Sequence, residues 1–262
     1  MSMHTFPTRP KQTALITGAA SGIGADLAKA FYEAGYQLLL ADLDTPAYLA
    51  DFESRAQDVC FVQGDLSRAA DCQGIVEQGK QRFSTIDILI NNAGFQHVCA
   101  LEDFPLEVWQ RMHAVMLTAP FLLTQAVWSG MKQSGWGRIV NIGSIHSQVA
   151  SPNKVGYTSA KHGLIGLTKT AALEGGPLGI TVNAICPAYV RTPLVEKQIA
   201  AQAVTLGISQ EAVESEVFLK SAATGSLIEP SEISSLVLYL CSDNAKSVTG
   251  ASWNIDCGWT AQ

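Results

Sequence analysis

Ser144, Tyr157 and Lys161 are the residues whose types and spacing point most directly to chemistry. Arg138-Ile139-Val140-Asn141-Ile142 is a β-rich run leading to Gly143-Ser144, so the Ser144 hydroxyl is expected at the carboxyl end of a strand. A polar loop comes next, and Tyr157-Thr158-Ser159-Ala160-Lys161 opens an apolar helix. Tyr157 and Lys161 are spaced to share one helical face. An ammonium beside a phenol favours the phenolate, so Lys161 is expected to lower the Tyr157 pKa from about 10. Tyr157 can then serve as a general acid/base, with Ser144 orienting the same substrate oxygen. Tyr-x-x-x-Lys by itself is more often a half-buried Tyr beside a Lys stretched towards solvent. The rest of the chain has to decide between the two.

The elements that would position these groups alternate between strand and helix. Gln12-Thr13-Ala14-Leu15-Ile16-Thr17 reads as a buried strand, and Gly18-Ala19-Ala20-Ser21-Gly22-Ile23-Gly24 as the turn into a helix reaching about Ala34. Such a turn lets backbone N–H groups approach a pyrophosphate at a helix N-terminus, although any tight turn can need glycine. Leu38–Ala41 is the next strand and ends in Asp42, about 20 residues past the glycines, where a carboxylate can accept both adenosine ribose hydroxyls. That favours NAD over NADP, whose 2′-phosphate Asp42 would repel. Further strands are Val59–Val62, ending at Asp65-Leu66, and Ile86–Ile90, ending at Asn91-Asn92-Ala93-Gly94. A helix from about Leu106 to Lys132 leads to the Ser144 strand, and Ile180–Ile185 and Ser252–Asp256 complete the set. Leu194 to Ser226 reads as a poorly anchored helical lid, and Ser231–Leu240 as a helix. The pattern predicts one doubly wound parallel α/β sheet of the Rossmann type, with helices on both faces and a helical lid, as a single domain over residues 1–262. Ligands of such sheets bind at the carboxyl ends of the strands.

Composition narrows the function classes. The chain has 262 residues, 47% hydrophobic, enough for one large α/β core, and a net charge of −6 that offers no nucleic-acid face. The six cysteines lack Cys-x-x-Cys spacing, which predicts reduced core residues and no metal site. Residues 1–10 lack a charged and an apolar leader region, and no apolar run is read as a membrane span, so a cytoplasmic protein is expected.

Jointly, Thr17–Gly24, Asn91–Gly94, Ser144 and Tyr157 with Lys161 resemble the short-chain dehydrogenase/reductase family in order and spacing, over nearly the whole chain. The resemblance implies that Gly18, Ser21, Gly22, Ile23 and Gly24 line the cofactor phosphates and that Asp42 takes the adenosine ribose. It places Asp65 and Leu66 at the adenine, Asn92, Ala93 and Gly94 along the cofactor, and Pro187, Val190 and Thr192 on the nicotinamide side. Tyr157 and Lys161 would also touch the cofactor. Within the family, the chain resembles the bacterial D-3-hydroxybutyrate dehydrogenases. Gly94–Val98, Ser144-Ile145-His146, Ala150–Lys154, Val190–Ile199 and Gly258–Gln262 carry that likeness. It implies that Gln96, His146, Lys154 and Gln198 grip a substrate carboxylate while Ser144 and Tyr157 hold the reacting oxygen. One cation with several neutral donors suits a small carboxylate.

The resemblance thus implies a reversible, NAD-dependent oxidation of (R)-3-hydroxybutyrate to acetoacetate, in a homotetramer built on the long helices. Three positions depart from the family pattern. Met116 stands where an Asn is usual, Ala188-Tyr189 replaces Gly-Trp, and Cys257 replaces a Gly, with packing the expected consequence. The alternatives left open are a dehydrogenase of another small 3-hydroxy acid or secondary alcohol, and a catalytically weak NAD-binding protein.

Overall fold

Seven strands lie side by side and all parallel in the order β3-β2-β1-β4-β5-β6-β7. They are β1 (Thr13–Thr17), β2 (Gln37–Asp42), β3 (Val59–Gln63), β4 (Ile88–Asn91), β5 (Gly137–Ile142), β6 (Ile180–Pro187) and β7 (Ser252–Ile255). The computed structural model describes residues 11–261. The helices are α1 (Gly22–Glu33), α2 (Ala69–Phe83), α3 (Leu106–His113), α4 (Ala119–Ser134), α5 (Val155–Gly175), α6 (Pro193–Leu206), α7 (Gln210–Val213) and α8 (Pro230–Cys241).

Strand alternation sends successive side chains to opposite faces, so the sheet builds two cores. Ala14 and Ile16 join Leu27 and Phe31 of α1 and Ile233 and Val237 of α8 on one face. Leu15, Leu39 and Leu89 join Ile75 of α2, Leu123 and Val127 of α4 and Ala172 of α5 on the other. Strand order reverses between β1 and β4, which opens a crevice at their carboxyl ends.

The structure corrects several sequence expectations. The segment between β2 and β3 is not an α-helix but two short 3₁₀ pieces within Ala47–Asp58, kinked at Arg55. The long helix is interrupted: Ala114–Thr118 form a π turn between α3 and α4. Its full length, Leu106–Ser134, is long and apolar enough to cross a membrane, contrary to the sequence reading. Here its Ala119, Leu123, Val127 and Met131 are buried against the sheet. The segment read as a poorly anchored lid has its own small core of Val195, Ile199, Val213, Phe218 and Leu227, with Tyr189 packed on it. Cys257 affects more than packing, because its φ of 57° puts a residue with a Cβ in the left-handed region.

Candidate active site

The glycine turn owes its shape to close approach. Gly18 has φ +65°, and a Cβ on it would stand 2.8 Å from the Cα of Ala93. A Cβ on Gly24 would meet the Gly18 carbonyl at 2.0 Å, so the third glycine packs the turn and does not line the crevice. Thr17 clamps the two strand ends: its hydroxyl accepts from the backbone N–H of Asn92 at 3.0 Å and of Ala93 at 3.2 Å. The Asn92 amide returns two hydrogen bonds, to the carbonyls of Thr17 and Gly18. Thr17 opens the sequence motif, yet only the structure shows this role.

Above this turn lies a cleft of about 600 Å³. Gly18, Ser21, Gly22, Ile23, Asp42, Leu66, Asn92, Ala93, Gly94, Ser144, Tyr157, Lys161, Pro187, Val190 and Thr192 all line it, as expected from the sequence. Gly143 and Arg111 line it too and are not anticipated by the motifs. Gly143 has a readable signal, since it precedes Ser144, and a Cβ there would stand 2.9 Å from Ser147 Oγ. Asp65 is not among the lining residues: its carboxylate accepts from the Ser67 backbone at 2.9 Å, which lowers its pKa, and Arg111 stands 3.9 Å off.

Ser144 caps a short 3₁₀ turn, Ile145–Ser147, where its hydroxyl accepts from the His146 backbone at 3.2 Å. Tyr157 sits in the first turn of α5, and Lys161 lies one turn later. The Lys161 ammonium donates to the Ile142 carbonyl at 2.6 Å, tying α5 to the end of β5, and lies 5.7 Å from the centre of the Tyr157 ring. The expected lowering of the Tyr157 pKa is not what this packing gives. Burial raises it, and the Ser144 hydroxyl beside it only opposes the rise. Lys161 itself is pushed down to about 8 by burial.

Beside Tyr157 is a second polar group. Lys154, at the N-cap of α5, has its ammonium 3.2 Å from His146 Nε2, and the His146 and Tyr157 rings stand edge to face at 6.1 Å. Burial lowers Lys154, and burial followed by Lys154 itself pushes His146 down to about 4. His146 is therefore a neutral ring at pH 7 whose Nε2 accepts from the ammonium. Its Nε2 holds Lys154, and its buried Nδ1 has no hydrogen-bond partner among the described residues. Gln96 enters from the loop after β4, which a Cys99–Asn153 backbone hydrogen bond ties to the start of α5, and its buried Oε1 has no hydrogen-bond partner among the described residues. Gln198 lies half-buried on α6, and no hydrogen bond joins it to Lys154 or His146 among the described residues.

Comparison with known proteins fits this geometry. A family model described as enoyl-(acyl carrier protein) reductase matches residues 18–260. A D-beta-hydroxybutyrate dehydrogenase of Cupriavidus necator is 43% identical over 254 residues, covering 96% of this chain and 98% of the relative. One of Rhizobium meliloti is 44% identical over 256 residues, covering 96% and 99%. The chain belongs to the short-chain dehydrogenase/reductase family. The crystal structure of levodione reductase superposes with a TM-score of 0.86 at 29% identity, covering 95% of this chain and 98% of that one. As a short-chain dehydrogenase/reductase, the chain is an oxidoreductase, and the family implies a nicotinamide cofactor.

The residues present fit such a group. The N-terminus of α1 has no side-chain cap and no acidic residue in its first turn, which leaves its N–H groups for phosphate. Asp42 is held at the end of β2 by the Ala20 backbone N–H, donating at 2.8 Å, and by Leu43 N–H at 2.7 Å. Thr192 closes over Gly22, its Cγ2 3.2 Å from where a Cβ would stand. The cofactor-side residues thus share one cleft with Ser144, Tyr157 and Lys161, while Gln96, His146, Lys154 and Gln198 do not line it, and Lys154 reaches it through the His146 ring beside Tyr157.

Proposed function

We propose that this short-chain dehydrogenase/reductase interconverts (R)-3-hydroxybutyrate and acetoacetate with NAD. The observation that carries the reading is Lys154. It is an ammonium whose pKa burial lowers, with no carboxylate partner among the described residues, and it meets the His146 ring that stands edge to face with Tyr157. A cation without a counter-ion next to an acid/base pair suits a substrate that brings its own carboxylate. The dehydrogenases of Cupriavidus necator and Rhizobium meliloti support the same substrate class.

In this reading Lys154 takes the carboxylate, held in place by His146, with Gln96 and Gln198 as neutral partners. Ser144 holds the hydroxyl oxygen and Tyr157 accepts its proton. Lys161 fixes the helix register through Ile142 and sets the charge beside the phenol. Fixing the carboxylate and the oxygen together presents C3 in one orientation and selects one enantiomer. A bound nicotinamide supplies the hydride acceptor and, when oxidised, a positive charge that favours the Tyr157 phenolate. Asp42 at the ribose position selects NAD.

The same reading carries a homotetramer, consistent with Phe121 on α4 and Leu173 on α5, exposed at 47% and 81%. Steady-state turnover with NAD and each 3-hydroxybutyrate enantiomer tests the activity. Turnover of the R form only is expected, and no turnover of it overturns the reading. Light scattering of the purified protein tests the assembly.

A further inference from the structure

Lys154 has a second neighbour besides His146. The Tyr189 ring lies with its centre 5.7 Å from the ammonium. Tyr189 comes just after β6, and its carbonyl accepts from the Ile228 backbone at 3.0 Å. Its ring is pinned from two other directions. Phe218 lies 4.4 Å away between ring centres, and Trp259 lies 5.6 Å away, edge to face. Phe218 is one of the buried residues of the small core that anchors α6 and α7. Trp259 belongs to the C-terminal turn, where Asp256 accepts from the Gly258 and Thr260 backbone. One ring therefore touches the lid, the C-terminal turn and the cation of the candidate carboxylate site.

We propose that Tyr189 is a positioning residue, whose ring seats the Lys154 ammonium and couples it to the packing of the α6–α7 segment. This rests on the reading of Lys154 as the carboxylate partner. His146 accepts from the ammonium on one side, and Tyr189 offers it a π surface on another, leaving a third side for the substrate. Burial raises the Tyr189 pKa, so the ring meets the cation as a neutral phenol. A π surface stabilises a cation without neutralising it, so the charge remains available to the substrate. A carboxylate at the position of Tyr189 would instead compete with the substrate. The coupling has a consequence: loosening Phe218, which packs on the Tyr189 ring, should weaken recognition of the acid.

The test compares (R)-3-hydroxybutyrate with its uncharged methyl ester in the full-length enzyme, reading kcat and KM separately and NAD affinity by fluorescence titration. Tyr189→Leu should raise KM for the acid about tenfold, the scale of a desolvated cation–π contact, with a smaller effect on kcat. The ester should lose less than about threefold in kcat/KM. Tyr189→Phe keeps the ring face and should restore the wild-type KM. Phe218→Leu should repeat the acid-selective rise at about threefold, and it tests the coupling even if Tyr189→Leu fails to fold. Parallel losses for acid and ester would overturn the proposal, because Tyr189 would then only shape the pocket. An unchanged acid KM in both Leu variants would overturn it as well. If the wild-type enzyme uses the ester as well as the acid, the carboxylate reading itself has failed, which is a separate and distinguishable result.

Discussion

Replacing Lys154 by Met separates what this residue does for binding from what it does to the fold. Met keeps an unbranched apolar stem and removes the charge. For binding, one charge-assisted contact is lost, on the order of 1.5–3 kcal/mol. KM for the hydroxy acid should rise about 10- to 150-fold, with NAD affinity unchanged. For the fold, the sign is opposite. The ammonium is disfavoured by burial and has no carboxylate partner among the described residues, so its removal relieves a penalty. Loss of its contact with His146 Nε2 offsets part of that gain. Half-burial keeps the net small, about 1 kcal/mol in favour of Met, or roughly 2–4 °C in Tm. The pH dependence gives a further check. The folded-state pKa of Lys154 is lowered, so the unfolded chain holds more protons between that value and about 10.4, and wild-type stability rises with pH across that window. The stability gap between Met variant and wild type should therefore be full at neutral pH and close as pH approaches the ordinary lysine value. Lys161 is lowered in the same direction but is common to both proteins and cancels. Thermal melts from pH 7 to 10 with steady-state kinetics measure all of this. A Met variant that is less stable at pH 7 and keeps its KM would show Lys154 to be a structural residue and refute the reasoning.

Three further outcomes are expected. Asp42 is fixed by three backbone N–H groups, those of Ala20, Leu43 and Asp44, and cannot easily swing away, so kcat/KM should favour NAD over NADP by at least about tenfold; equal efficiency would remove Asp42 from the ribose site. Tyr157→Phe should lower kcat by at least about a hundredfold while NAD still binds, and near-normal turnover would mean that another group moves the proton. Met116→Asn buries an amide among Met112, Ala160 and Phe104, so Tm should fall while kcat changes by no more than about tenfold. A gain of several orders of magnitude in kcat would mean that the natural protein is nearly silent.

The sequence makes legible what depends on local spacing. The glycine turn, Asp42 at a strand end, and Ser144, Tyr157 and Lys161 all sit where period and motif place them, and all line one cleft. What it hides depends on three-dimensional surroundings. The direction of the Tyr157 pKa shift is set by how densely the site is packed, which no i, i+4 pair reveals. The contact between His146 and Lys154 is hidden because it forms only when the loop and the α5 N-terminus meet. The lid looks unanchored because its core joins Val195 to Phe218 and Leu227, far apart along an Ala- and Gln-rich stretch. A five-residue π turn leaves little trace in a 3.6 period, so the helix through Met116 reads as continuous.

The distribution of unfavourable electrostatics says something about where the fold tolerates it. Away from the cleft, one buried polar chain is paired: Asn91 donates to Asn141, Asn141 to Thr168, and Thr168 to the Leu164 carbonyl, linking β4, β5 and α5. That chain docks the catalytic helix without leaving an unmet charge. Around Tyr157 the opposite holds. Lys161, Lys154 and His146 are all pushed towards their neutral forms by burial, and Tyr157 is held protonated. A protein selected for stability alone would replace such groups with apolar ones. Keeping them makes sense if negative charge enters during function. A substrate carboxylate would meet Lys154, and an oxidised nicotinamide would favour the Tyr157 phenolate, the form able to accept the proton leaving the substrate oxygen. Each penalty is then relieved by the ligand it awaits, which makes binding energy and specificity two readings of the same burial.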